Sequence, residues 1–134
     1  MPTITVNLNQ VNDATTAAQI RSHAIDIDRP EAKGGHDQGA MGGELLLASL
    51  GGCFNSNLLA AIRARDLDIN DISIEVSGDL AEAPARFASI DMVVKSAYED
   101  RAEFEKLVLM SERACIVANT LKSAVDLTVS VAPI

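Results

Sequence analysis

Residues 3 to 8, TITVNL, alternate apolar Ile4, Val6 and Leu8 with polar Thr3, Thr5 and Asn7. A period of two predicts a half-buried strand. The turn residues NDATT follow, then AQIRSHAIDID, a weaker strand pattern with Ile25 and Ile27 set against Ala24 and Asp26. Arg29-Pro30 ends that pattern, because the residue before a proline is restricted. Residues 31 to 43, EAKGGHDQGAMGG, carry five glycines and form the one long loop of the chain. Loops of this kind often hold function.

Residues 44 to 65 then predict a helix of about six turns. Glu44 suits its first turn and Arg63 and Arg65 its last, as the helix dipole prefers. The segment is apolar on most faces from Leu45 to Ile62, the mark of a central, buried helix. DISIEVSGDL and FASIDMVVKSAY alternate again, joined by AEAPAR as a hairpin. DRAEFEKLVLMSERA is an amphipathic helix with Phe104, Leu107 and Val108 inward, CIVANTLKSA a short second helix, and VDLTVSV a closing strand with Val125, Leu127, Val129 and Val131 on one face. Strands in adjacent pairs with helices segregated predict an α+β domain with antiparallel sheets.

One sheet covers only one side of an all-apolar helix. Ala48, Ser49, Gly51, Gly52, Ala60 and Ala61 are small and permit close helix approach. The pattern therefore predicts a homodimer in which this helix packs against its partner. A monomer with a second sheet on that side is the other arrangement.

Composition sharpens this picture. The chain has 134 residues, the size of one domain, and no repeat or linker divides residues 1–134. It is 48% hydrophobic with no Trp, one Tyr and three Phe, so the core must be aliphatic. A net charge of -8 argues against nucleic-acid partners and anionic membrane surfaces. MPTITVNLNQ lacks the basic and apolar regions of a signal peptide. The apolar runs fall short of the roughly 20 residues needed to cross a bilayer. A cytoplasmic location is the expectation.

Two cysteines carry the candidate chemistry, Cys53 and Cys115, 62 residues apart. A permanent disulfide is not expected in the cytosol. Two thiols cannot enclose zinc unaided, and His23 and His36 add no ligand spacing. Gly51-Gly52 precede Cys53 inside the helix, and each helix-interior glycine costs roughly 1 kcal/mol against alanine. Close backbone packing or open space beside the thiol could offset that cost. Cys115 stands where one helix ends and another begins, so unpaired N–H groups and the dipole favour its thiolate. Cys53 lies too deep in its helix for that end effect. On residues alone, two inert buried thiols and a redox pair both remain open. His36 and Asp37 read as solvated loop residues, and the acidic stretch YEDRAEFE as a solvated face.

The segment GELLLASLGGCFNSNLLAAIRARDLDINDISIEVSGDL, with the later RACIVANTLKSAVDLTVSV, resembles the OsmC/Ohr family, the osmotically inducible protein C and organic hydroperoxide resistance proteins. The likeness spans residues 34 to 131 and rests on the two-cysteine framework and the element order together. It implies an OsmC-like fold, antiparallel sheets wrapped around a long central helix in an intertwined homodimer. It also implies a thiol peroxidase that reduces organic hydroperoxides and hydrogen peroxide. Cys53 would attack the peroxide, Cys115 would condense with the sulfenic acid to a disulfide, and a lipoyl-type dithiol would reduce the pair. No metal or organic cofactor takes part. The family activates its first cysteine with a Glu and an Arg. The Glu of the peroxidase branches aligns with Gly43, whereas Glu44 matches the acidic residue of the OsmC-like branch. Arg29 and Lys33 are the candidate cations, Lys being the poorer bidentate partner. Met41, Gly42 and Ile116 stand where family prolines are common. These departures motivate an alternative, a non-peroxidase relative that binds a small apolar molecule at the dimer interface.

Overall fold

The computed structural model describes residues 1–133. The chain groups into two compact units, Met1–Leu47 and the residues from Ala48 onward. The first holds an antiparallel sheet in the order β1 (Asn7–Gln10), β2 (Thr16–Ile20), β3 (His23–Ile27). The expected first strand thus begins later, at Asn7 rather than Thr3. The stretch AQIRSHAIDID is a hairpin, not one strand: Ile20 pairs with His23 around Arg21-Ser22. Arg21 takes the left-handed conformation, φ 55°, which a two-residue hairpin turn demands. Neither turn residue is Gly, Asn or Asp, so no strong two-residue hairpin signal marks this turn.

A buried carboxylate organises the Gly-rich loop. Asp28 and Thr15 are 3% and 2% exposed, and Thr15 Oγ1 donates to Asp28 Oδ2 at 2.8 Å. The backbone amides of His36 and Gln38 donate to the same oxygen at 3.2 and 3.1 Å, and that of Arg29 donates to Oδ1 at 2.7 Å. Burial alone would raise this carboxyl, but these four donors outweigh it and hold the pKa at about 2. Close backbone approach explains two of the loop glycines. A Cβ on Gly35 would lie 2.0 Å from Arg29 O, and one on Gly39 2.0 Å from Asp26 O.

Helix α1 (Gly42–Ala64) runs from the first unit into the second. Its Glu44 reaches back so that Met41 N–H donates to Oε1 at 2.9 Å, one half of a capping box. By length and composition α1 could cross a membrane: an 18-residue window has mean hydropathy 1.6, and 28% of it is buried. The expectation that no segment reaches spanning length therefore fails for α1. Yet Leu50, Phe54, Leu58 and Ile62, one turn apart in succession, lie in the core of the second unit.

That unit continues with β4 (Ser73–Ala81) and β5 (Arg86–Lys95), paired antiparallel as a two-stranded sheet, then α2 (Arg101–Ala114) and α3 (Ile116–Leu121). Ile74 opposes Val94 and Val76 opposes Met92; all four pack against the α1 stripe together with Phe104 and Leu107 of α2. The register explains the alternation in the sequence, since one face of the ribbon meets the helices and the other meets water. Asp100 caps α2 by accepting from Glu103 N–H at 3.1 Å.

The expected closing strand does not form. Residues 124 to 131 have no regular secondary structure, and Leu127 and Val131 are 85% and 94% exposed. An alternating segment becomes a strand only beside a neighbour, and among the described residues none pairs with it.

Candidate functional site

Cys53 is half-buried on α1, next to fully buried Phe54. The two preceding glycines have different surroundings. A Cβ on Gly51 would come within 3.1 Å of Val76 Cγ2 and 3.7 Å of Ile74 Cγ2, so its absence lets helix and ribbon close up. A Cβ on Gly52 would meet nothing within 4 Å. The expected close packing is therefore present at the first position, while the second position faces open space.

Cys115 ends one helix and starts the next. Its N–H donates to Glu112 O at 3.2 Å, closing α2, and its Sγ accepts from Ala118 N–H at 3.4 Å, capping α3. Asn119 ties the joint further, its N–H donating to Cys115 O at 2.9 Å and its Nδ2 to Arg113 O at 3.1 Å. Lys122 and Glu112 form an ion pair across the same joint. Cys115 is 0% exposed.

Cys53 packs against the core cluster that contains Cys115. Burial pushes the Cys115 thiol up; the Ala118 and Val117 amides oppose the shift, while hydrogen bonding with Cys53 and the negative charge Cys53 can carry add to it. The expectation that a helix start favours the Cys115 thiolate is thus overturned. Two amides do face the sulfur, but the loss of water around a wholly buried thiol outweighs them. The pair is chemically unequal: Cys115 keeps its proton inside the core, whereas Cys53 is only half-buried.

The other candidate residues belong to the first unit. Arg29 and Lys33 are exposed, and among the described residues neither side chain forms an ion pair. Glu44 is exposed and engaged with its own helix start. His36, read as a solvated loop residue, accepts a defined partner: its Nε2 lies 2.6 Å from Asp13 Oδ1, and that carboxylate raises the imidazole pKa. The sequence reading did not single out Asp28, which continues the polar side of the alternation after Ala24 and Asp26. The signal available was its position shortly before the glycine-rich loop, whose unpaired amides need an acceptor.

Comparison with known proteins follows this geometry. A family model described as OsmC-like protein matches residues 35–130. No curated protein sequence matches the chain. Among solved structures, an OsmC-like protein from Mycoplasma pneumoniae superposes with a TM-score of 0.77 at 19% identity, covering 90% of this chain and 88% of that one. An organic hydroperoxide resistance protein from Elizabethkingia anophelis, with thiocyanate bound, gives 0.69 at 14% identity over 91% and 89% of the two chains. An organic hydroperoxide resistance protein OsmC from Legionella pneumophila gives 0.65 at 16% identity over 91% and 90%. Antiparallel sheets, the Cys-bearing long helix and a match across more than half of the residues converge, and the chain belongs to the OsmC-like protein family.

Proposed function

We propose that the protein is a thiol-dependent peroxidase that reduces organic hydroperoxides, and hydrogen peroxide, through Cys53 and Cys115. The observation that carries this reading is the unequal thiol pair at one core cluster, with Cys53 half-buried and Cys115 fully buried. The Cys53 thiolate attacks the distal peroxide oxygen, the O–O bond breaks, and the alkoxide leaves as alcohol after taking a proton. Cys53 is then a sulfenic acid. Cys115 sulfur attacks it, hydroxide leaves as water, and a disulfide remains. A lipoyl-type dithiol returns the pair to thiols. A Cβ on Gly52, the residue before Cys53, would meet nothing within 4 Å, room that would suit an alkyl peroxide.

We also propose a homodimer. Leu46 and Leu59 are exposed on α1, and Val125, Leu127, Val129 and Val131 are exposed in alternation, more apolar surface than a lone soluble chain ordinarily shows. Sedimentation at micromolar concentration tests this; a monomer throughout would refute it.

The decisive assay is consumption of cumene hydroperoxide by reduced protein in the presence of dihydrolipoamide. Turnover that disappears in Cys53→Ser supports the reading, and no turnover by the wild type refutes it. One observation favours the second reading, a non-peroxidase relative that binds a small apolar molecule. Glu44 already serves as an acceptor at its own helix start, at 2.9 Å from Met41 N, rather than standing free to orient an activating cation.

A further inference from the structure

We propose that Cys115 couples the oxidation of the thiol pair to the folding of α3, so that the Cys53–Cys115 disulfide uncaps this helix and opens itself to the reductant. The proposal rests on the peroxidase reading for its oxidant. Two thiols give up two electrons and two protons as the S–S bond forms; the hydroperoxide takes them, its O–O bond breaks, and alcohol and water leave.

Cys53 packs against the core cluster that contains Cys115, and two sulfurs must close to about 2 Å to bond. At least one therefore leaves its position. Cys53 sits mid-way along a 23-residue helix, with Leu50 and Phe54 buried on either side. Cys115 begins a helix of six residues in which Ala118 alone is buried, while Ile116 and Leu121 are exposed. Six residues are far below the roughly 12–15 that sustain a helix in water, so α3 depends on its ties. Its side-chain cap is the Cys115 sulfur, held at 3.4 Å from Ala118 N. A sulfur drawn toward Cys53 abandons that amide, and the short helix yields before the long one does.

The consequence serves turnover. Exchange with a dithiol needs in-line attack on a disulfide sulfur, and Cys115 is 0% exposed in the capped state. Uncapping removes the cover only once there is a disulfide to reduce.

Amide hydrogen exchange read by mass spectrometry tests this on the whole protein, reduced and after oxidation with diamide, which makes the disulfide without any peroxide. Amides of residues 117 to 123 are expected to exchange at least about tenfold faster in the disulfide form, with those of Leu107–Ser111 unchanged. Cys115→Ser, whose hydroxyl also caps, is expected to keep α3 protected under diamide, and Cys115→Ala to lose protection without any oxidant. A disulfide verified by peptide mass with unaltered α3 exchange overturns the proposal, as does failure of diamide to form that disulfide. Peroxide left unconsumed, with diamide-driven uncapping intact, would instead sink the peroxidase reading alone.

Discussion

Thr15 Oγ1 donates to Asp28 Oδ2 across 2.8 Å, and both residues are almost wholly buried. The carboxylate also receives the amides of Arg29, His36 and Gln38, and its pKa falls from 3.8 to about 2. A folded pKa below the unfolded one contributes stability above the unfolded value and loses it as the pH falls through the folded one. Wild-type protein is therefore expected to lose part of its thermal stability between about 3.8 and about 2. Asp28→Asn should be less stable near neutrality and should lack that part of the acid limb. Thermal midpoints of the two proteins across this range check it; parallel acid limbs would refute it.

Cys115→Ser separates the two halves of the proposed cycle. One peroxide should still be reduced per chain, since Cys53 needs no second thiol for the first displacement. The sulfenic acid then has no resolving partner and should be trapped by dimedone as a mass increment on the Cys53 peptide. Dimedone labelling in wild type but not in Cys115→Ser would reverse the assigned roles.

The adjacent glycines should respond differently to a methyl group. Gly52→Ala places it in open space and should gain about 1 kcal/mol from helix propensity. Gly51→Ala presses on Val76 Cγ2 at 3.1 Å, so part of the same gain is lost to overpacking. Urea midpoints should rank Gly52→Ala above Gly51→Ala. In the peroxidase assay Gly52→Ala should lower kcat/KM by narrowing the space beside Cys53, and an unchanged kcat/KM would show that the peroxide enters elsewhere.

Phe54 is 0% exposed at the centre of the α1 stripe. Phe54→Ala should destabilise the protein by about 3–5 kcal/mol, a large share of a typical domain's stability of about 5–15 kcal/mol. Equilibrium urea unfolding measures the difference; a loss below about 1 kcal/mol would mean the site collapses around the missing ring.

The elements that the sequence disclosed are those whose burial is set by nearby chain. The α1 stripe, the ribbon faces led by Ile74 and Val76, and the inward Phe104 and Leu107 all follow periods that their own helix or hairpin enforces. The hairpin at Ile20–His23 escaped because Arg21 adopts its left-handed turn without a glycine. Asp28 escaped because its burial comes from donors as distant as Thr15 and Gln38, which no local period registers. The closing alternation at Val125–Val131 has a strand's chemistry without a paired neighbour among the described residues. As for the cysteines, they stand 62 positions apart, and their meeting at one core cluster is a property of α1 and the α2–α3 joint that spacing alone could not reveal.

Among the described residues the β4–β5 ribbon has no third strand, and a hairpin by itself is marginal in water. Its order of assembly is thereby constrained. Ile74 and Val76 find their anchors on α1 at Leu50 to Phe54, roughly two dozen residues earlier in the chain. The ribbon cannot mature ahead of the helix, and substitutions at this seam should slow refolding, whereas those at the exposed tip near Pro84 should mainly speed unfolding.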